Sequence, residues 1–596
     1  MRILIKNIWL FAAIFISLFM SFNAEAVTIG YSTFPDEQYV ASTLAPGRGY
    51  IGYASSNLFE LRMATSVHLQ WKVPAEFRGK DSFGAGLRAT NLRECRGIGE
   101  NCMKRVGAST EDILSRYRAV LSYCKSATDR NCVLAVDAED GNGNLLPGKI
   151  LKDGFSGESM QNYVGDPKID LPDGNSSFTV SIPGATHAKG DTYLVIAALD
   201  SGMSESSEKF RPAELQLGIV AADINYGNYP ERAYVPSDLT EAVGTRPNEY
   251  RHPYLETCVA HNTGACVIPQ RIPLDIKFKV KLRLSVPVSG WFHGRVTDTS
   301  IKIEKISEST SIYEISAKAV TVPMVTQWKR NDEISTELMD FYAKQPQPLG
   351  GTGDFTRASY PLGADRSWSM LRQQTDFSDI GMQELLLWLK ESKDKAIATP
   401  TQWTLRTMVY DQNNPCYSRS PGFIGVVQTN ATGYISGPPI FNSVENSLDY
   451  KVAGPHLMPS GELNRGTYDL LLDKDVAKCL YGFNQAPTKA TVSVLSSDGK
   501  ETAETVSLSE NDAFIKLRAS GFSYSSPTLR VKLIAPTAMV PAPQTAQTAT
   551  SSPSSPLVLA PPTKQILKVI TCEKGRKTKY IEGKNPKCPK GYKLNK

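Results

Sequence analysis

The chain has 596 residues, 41% of them hydrophobic, and carries 66 Lys and Arg against 60 Asp and Glu, a net charge of +6. That length with an ordinary apolar fraction excludes a single hydrophobic core, and three to five domains are expected. Residues 564–596 hold eleven Lys or Arg and two Glu, a surplus of nine, and the first 26 residues add one. The stretch between them therefore sums to about −4, which excludes a chain that is basic along its length.

From Ile8 to Phe22 an apolar run is broken only by Ser17 and Ser21, preceded by Arg2 and Lys6 and followed by Ala24-Glu25-Ala26. This pattern predicts a secretory signal peptide over 1–26, too short for a membrane span, with a mature start near Val27. No later stretch approaches the roughly 20 apolar residues that cross a bilayer, and no cysteine precedes Cys95, so neither a span nor an N-terminal lipid is expected in the mature chain.

Export makes disulfides the expectation for the ten cysteines. Sequence neighbours pair as Cys95–Cys102, Cys124–Cys132, Cys258–Cys266, Cys416–Cys479 and Cys572–Cys588. Spacing does not fix connectivity, and Cys95 with Cys132 is the alternative left open.

Segment 27–107 reads as β-rich, with Ser66 to Trp71 strand-like. In 108–270, Ser109 and Thr110 before Glu111-Asp112, with apolar residues at Ile113, Tyr117, Val120, Leu121 and Cys124, predict a helix of about four turns. A β-sandwich-like domain is expected to follow. Its signals are Val133 to Val136, a turn at Asp140-Gly141, alternation at Phe178, Val180 and Ile182, and an apolar run at Thr192 to Leu199 suited to a strand buried on both faces.

Segment 271–485 carries the clearest strand. Apolar residues alternate from Leu274 through Ile276, Phe278, Val280, Leu282 and Leu284 to Val286 against Asp275, Lys277, Lys279, Lys281, Arg283 and Ser285, the pattern of a half-buried antiparallel strand. Gly290 and Gly294 frame an expected turn in which Trp291, His293 and Arg295 are the candidate ligand-binding residues. Helical spacing recurs at Ile334, Leu338, Phe341 and Tyr342, and again at Met382, Leu385, Leu386 and Leu389 after a capping Asp379. Short strands are expected from Val409 to Phe483.

Segment 486–534 has the form of a small β module. Residues 535–563 contain seven Pro and no charge, a disordered, semi-rigid Pro/Ala/Thr/Ser linker reaching up to about 90 Å in the polyproline form. Residues 564–596 read as a basic hairpin turning around Lys574-Gly575-Arg576, stapled by Cys572 and Cys588. The expected class is thus mainly β with minor α, a multidomain α+β chain.

The ending Ile570-Thr571-Cys572-Glu573-Lys574-Gly575, continued by Lys584 to Lys593, resembles a short C-terminal cassette of exported actinobacterial proteins. Leu448 to His456, with Gly466 to Leu472, Asp475 to Phe483 and Pro287 to Arg295, resembles a module of large secreted proteins from the same group. The resemblance covers about Arg271 to Lys596 and implies a secreted or surface location, with no particular activity.

No catalytic, metal or cofactor constellation stands out. Gly154-Phe155-Ser156-Gly157 is one residue short of a nucleophile elbow, and Ser122 to Lys125 fits S-x-x-K only around a cysteine expected to be bridged. His252, Cys258, His261 and Cys266 have zinc-ligand types, but an oxidised pair cannot donate thiolates. Asp140, Asn142 and Asn144 open a calcium-loop pattern that Leu145 and Leu151 then break, so a hairpin turn is expected. Tryptophans 71, 291, 328, 368, 388 and 403 read first as core, with sugar stacking as the functional alternative.

The leading expectation is a secreted binding or structural protein of the cell surface, associated with the wall rather than catalytic. The tail lysines, Lys574, Lys577, Lys579, Lys584, Lys587, Lys590 and Lys593 with Arg576, would rest on an anionic envelope polymer. Export argues against nucleic acid, and no protein or glycan ligand is indicated. The alternative is a polysaccharide-directed secreted hydrolase whose paired carboxylates lie far apart in sequence.

Overall fold

The computed structural model describes residues 50–55, 64–72, 92–94, 114–157, 162–203, 209–227, 258–262, 264–288, 290–330, 332–344, 370–373, 379–408, 414–417, 423–435, 437–483, 489–495, 501–503, 506–510, 513–524, 528–534, 568–574, 577–583, 587–588 and 593–595. Among these the chain is mostly strand, with three α-helices, at Thr336–Lys344, Asp379–Glu391 and Lys474–Tyr481. The expected signal peptide, the expected linker and the expected Cys95–Cys102 pair lie outside the described residues. Two compact units are present, Met1–Pro536 and Thr537–Lys596.

In the first unit one run of pairings carries most of the fold. It passes from Leu92–Glu94 through His68–Lys72, Leu114–Val120, Thr192–Gly202, Glu214–Tyr226 and Thr401–Met408 to Gly290–Lys305. It continues through Phe423–Thr429, Arg465–Asp473 and Phe514–Ser523 to Val506–Glu510. All these pairs are antiparallel except Gly290–Lys305 with Phe423–Thr429.

A second sheet joins Cys132–Glu139, Lys277–Leu284, Ser311–Thr321 and the later half of Gly290–Lys305. The 16-residue Gly290–Lys305 strand therefore belongs to both sheets. It changes sheet between Arg295 and Val296, just before a register shift between Thr297 and Ser300, where Asp298 takes the left-handed conformation with φ 53°. A bulge of this kind bends the strand, and Asp tolerates that backbone better than most residues.

The alternation read at Leu274 to Val286 is realised. Lys277–Leu284 buries Phe278, Val280, Leu282 and Leu284 and leaves the intervening cations half-buried, while Leu274 lies outside the strand and is exposed. The Thr192–Gly202 strand is buried from Tyr193 to Leu199, as its continuous apolar run requires. Phe278, Leu282, Tyr193, Phe292 and Trp403 meet in the first core. Tyr450, Tyr468, Phe522 and Val531 form a second, together with Trp291, between the long run and a sheet built on Ser447–Ala453, Thr528–Ile534 and Lys489–Leu495.

The helix expected over 109–124 is a correction. Leu114–Val120 is a strand paired with His68–Lys72 on one edge and Thr192–Gly202 on the other. Tyr117 and Ala119 are fully buried, and Arg118 on the opposite face bonds Asp200 at 2.6 Å. Seven residues with two available edges satisfy their backbone in the sheet, and that tertiary pairing overrides local capping signals.

Both helices expected between 334 and 389 are present. They cover a three-stranded sheet of Thr326–Arg330, Tyr50–Ala54 and Met370–Gln373, with Leu338, Leu385 and Trp388 buried between. The Trp388 Nε1 donates to the Tyr342 hydroxyl at 3.0 Å, which donates to Glu384 Oε1 at 2.6 Å, so this carboxyl is buried with a partner.

Sheet sharing crosses the segment boundaries read from composition. Tyr50–Ala54 pairs with 326–330 while His68–Lys72 pairs with 114–120, and the strands of 486–534 complete sheets begun by 447–473.

The second unit is a three-stranded antiparallel sheet in the order Lys577–Gly583, Lys568–Lys574, Lys593–Asn595. The hairpin read around Lys574-Gly575-Arg576 is realised in its register, with Lys574 opposite Lys577 and Ile570 opposite Ile581.

Candidate functional site

The residues expected in an exposed ligand-binding turn occupy a buried strand. Trp291, His293 and Arg295 all lie in Gly290–Lys305, at 0%, 2% and 8% exposure. The two framing glycines suggest a turn in the sequence, but here they permit close packing instead. A Cβ on Gly294 would lie 2.6 Å from Val296 Cγ2, and one on neighbouring Gly425 would lie 2.4 Å from Trp291 Cζ3.

Around this strand the fold assembles a stacked cluster. His293 lies face to face with Tyr434 at 3.4 Å between ring centroids, and the guanidinium of Arg295 sits 4.8 Å from the same ring, that of Arg406 5.5 Å. Arg295 donates to the carbonyls of Thr429, Ala431 and Thr432, tying the end of Phe423–Thr429 to the loop beyond it. Burial first, and then the charges of Arg295 and Arg406, hold the His293 imidazole well below its usual pKa and so neutral. A neutral, stacked histidine inside a core serves as packing against Tyr434.

Three of the tryptophans weighed for sugar stacking, Trp291, Trp388 and Trp403, are fully buried. The Trp403 Nε1 donates to the Ala317 carbonyl at 2.9 Å, linking the two sheets. Carboxylates that the fold does bring together are held by cations. Asp298 bonds Lys277 at 3.1 Å and Lys516 at 2.9 Å, while Asp469 takes both donors of Arg518 at 2.9 Å.

Burial alone would raise the Asp298 pKa, but the bonds from Lys516 and Lys277 outweigh it and leave the group below its ordinary value. Asp449, gripped by Arg530, and Glu391, gripped by Lys329 and Ser335, are lowered in the same way against burial. A depressed carboxyl contributes stability above its unfolded pKa, about 3.9 for Asp and 4.3 for Glu, and loses it as pH falls through the folded value. The thermal midpoint should therefore hold between pH 7 and 5 and drop below about pH 4. Asp298→Asn should make that acid drop shallower; an unchanged acid slope would remove Asp298 from the account.

Of the five expected disulfides, Cys124–Cys132, Cys258–Cys266 and Cys416–Cys479 are present. The first settles the alternative in which Cys132 pairs with Cys95. Cys588 is disulfide-bonded as well, and the side chain of Cys572 lies outside the described residues. The second bridge takes both thiolates of the zinc pattern, and His261 lies buried in the adjoining hairpin strand. Among the described residues no group of three or more His, Cys, Asp or Glu is placed to hold a metal ion.

Asp140, Asn142 and Asn144 form the expected hairpin turn. Asp140 Oδ1 accepts the backbone N–H groups of Asn142 and Asn144, each at 2.8 Å, and Gly143 supplies a φ of 83°. Ser156 of the incomplete elbow pairs its backbone with His261 and donates its hydroxyl to Thr65 O at 3.1 Å.

Sequence reasoning missed one half-exposed pair. Asp394 follows the Asp379–Glu391 helix with φ 56°, accepts the His456 backbone N–H at 3.0 Å, and also binds the ring Nδ1. Acceptance by a carboxylate assigns the proton to Nδ1. With Leu457 N–H on Asp394 O at 3.1 Å and Ala396 N–H on Leu457 O at 2.8 Å, the pair clamps the 454–464 loop to the helix end. His456 ends the Gly454-Pro455-His456 string, but its partner is 62 positions away, so no local spacing joins them.

Lys574, Lys577, Lys579 and Lys593 are placed by the C-terminal sheet, Lys587 is described outside its strands, and Arg576, Lys584 and Lys590 lie outside the described residues. No helix among the described residues is long and apolar enough to cross a membrane. No family model matches the chain, and no curated protein matches it.

Proposed function

We propose that the protein is exported and acts at the cell envelope as a binding or structural protein, with its basic C-terminal unit docking onto an anionic envelope polymer. One observation carries the reading. The last 60 residues form a compact unit with its own three-stranded sheet, and the chain's positive surplus is concentrated there after a charge-free, proline-rich segment. A folded cluster of cations attracts a polyanion at long range. The apolar N-terminal run and the disulfides support an oxidising compartment.

The test is cell fractionation of the full chain and of a chain lacking Lys564–Lys596. The truncated protein should move into the medium. A wash at 1 M salt, where the screening length falls to about 3 Å, should release the intact one. Retention of both in the envelope fraction under both conditions would sink the reading.

A further inference from the structure

The register of the C-terminal sheet sorts charges that are mixed in the sequence. Lys574 stands opposite Lys577, and Cys572 opposite Lys579. On the other edge Lys593 stands opposite Glu573, while Glu582 stands opposite Val569. Residues directly opposite one another share a face, and so do residues two apart along a strand. Lys574, Lys577 and Lys579 therefore fall on one face at the closing end of the hairpin, and Glu573, Glu582 and Lys593 fall on the other.

Two features make that face a place for an anion. Like charges directly opposite each other in an antiparallel pair oppose the pairing, so Lys574 against Lys577 works against the hairpin unless a counter-charge lies along both. The three positions are also compactly arranged. Lys577 and Lys579 are about 6.7 Å apart along their strand, and the neighbouring strand with Lys574 is about 4.8 Å away. A single polymer segment with anionic groups at that repeat meets all three.

We infer that this three-lysine face is the contact through which the tail takes a linear polyanion bearing phosphate or sulfate groups. The remaining tail cations, Lys584, Lys587 and Lys590 among them, act through net charge. The inference rests on the attachment reading above. A flat anionic membrane would respond to the number of cations and not to which ones are removed, and this separates the two kinds of partner.

The experiment uses the full chain with long-chain polyphosphate as probe, binding being measured as a function of salt. Lys574→Gln/Lys577→Gln/Lys579→Gln is compared with Lys584→Gln/Lys587→Gln/Lys590→Gln, which removes the same charge. The first variant should bind at least about 10-fold more weakly and lose about 2 from the slope of log K against log salt, while the second should change by less than about 3-fold. Lys574→Arg/Lys577→Arg/Lys579→Arg should bind as the parent does, and its failure would show that folding and not charge was lost, overturning the proposal.

Equal weakening in the two Gln variants, with binding abolished by deletion of Lys564–Lys596, overturns the three-lysine face and leaves attachment standing. Undiminished polyphosphate binding after that deletion overturns attachment itself. Binding to phosphatidylglycerol vesicles without binding to polyphosphate overturns the linear polymer as partner.

Discussion

Trp291→Ala should lower stability by about 3–5 kcal/mol, the range for emptying a large aromatic from a core, out of the roughly 5–15 kcal/mol that holds a domain together. Its indole is fully buried, packs edge to face on Tyr417 with centroids 6.0 Å apart, and fills the space that Gly425 leaves open. Collapse into the vacancy is restricted because the strand is covered on both sides: Trp291 enters the second core, and its neighbour Phe292, stacked on Phe423 at 4.0 Å, enters the first. The indole N–H has no hydrogen-bond partner among the described residues, so Trp291→Phe should cost less than Ala. Chemical denaturation monitored by circular dichroism measures both. A Trp291→Ala protein as stable as the parent would return this residue to the ligand-binding role that its glycine-framed position suggests.

Removing the Cys416–Cys479 bridge should be the second large effect. It joins positions 63 apart, from the 414–417 turn to the Lys474–Tyr481 helix. Loop-closure entropy puts its contribution near about 4 kcal/mol, against about 2.5 kcal/mol for the two bridges that join positions eight apart. Cys416→Ala/Cys479→Ala should therefore lower the melting temperature clearly more than Cys124→Ala/Cys132→Ala. The helix it anchors packs Val476, Ala477, Leu480 and Tyr481 into the second core, so losing the tether should loosen that core first. An equal or smaller shift than for the short bridge would mean that sheet pairing, not the cross-link, holds the helix. Native protein should also leave these thiols unlabelled by maleimide.

Features that depend on neighbours along the chain are legible in the sequence. The period-2 pattern at 277–284 can satisfy only a strand with one wet face, and the period at 338–342 and 382–389 only a helix with one dry face. The short-range disulfides follow from proximity, since cysteines eight apart at a tight turn already have their Cα atoms within bridging reach, here 5.1 and 5.4 Å. The tail hairpin follows from two β-prone runs around Lys574-Gly575-Arg576.

A helix at Lys474–Tyr481, capped locally by Asp473 and Gly482, stands where short strands are expected, while the departures at 114–120 and 290–295 share another cause. At 114–120 the helical spacing and capping residues are real, but two sheet edges, His68–Lys72 and Thr192–Gly202, offer hydrogen bonds on both sides. At 290–295 the sequence mixes Gly, Trp, Phe, His and Arg with no alternation, because that strand is buried on both faces and has no wet side to write a period. The Asp394–His456 clamp, the Asp298 bulge and the sharing of sheets between 447–473 and 489–534 all join residues that no local window contains.

Composition and spacing alone thus determined the β-rich class, the sulfur pairing within short loops, two amphipathic helices and a cationic end. These follow from each residue's own preference and from a few neighbours along the chain. Which strands became inner layers and which aromatics were enclosed was decided only in three dimensions. Hydrogen-bond partners and burial on both faces come from segments tens to hundreds of positions away, and their pairing register is a property of the assembled sheets.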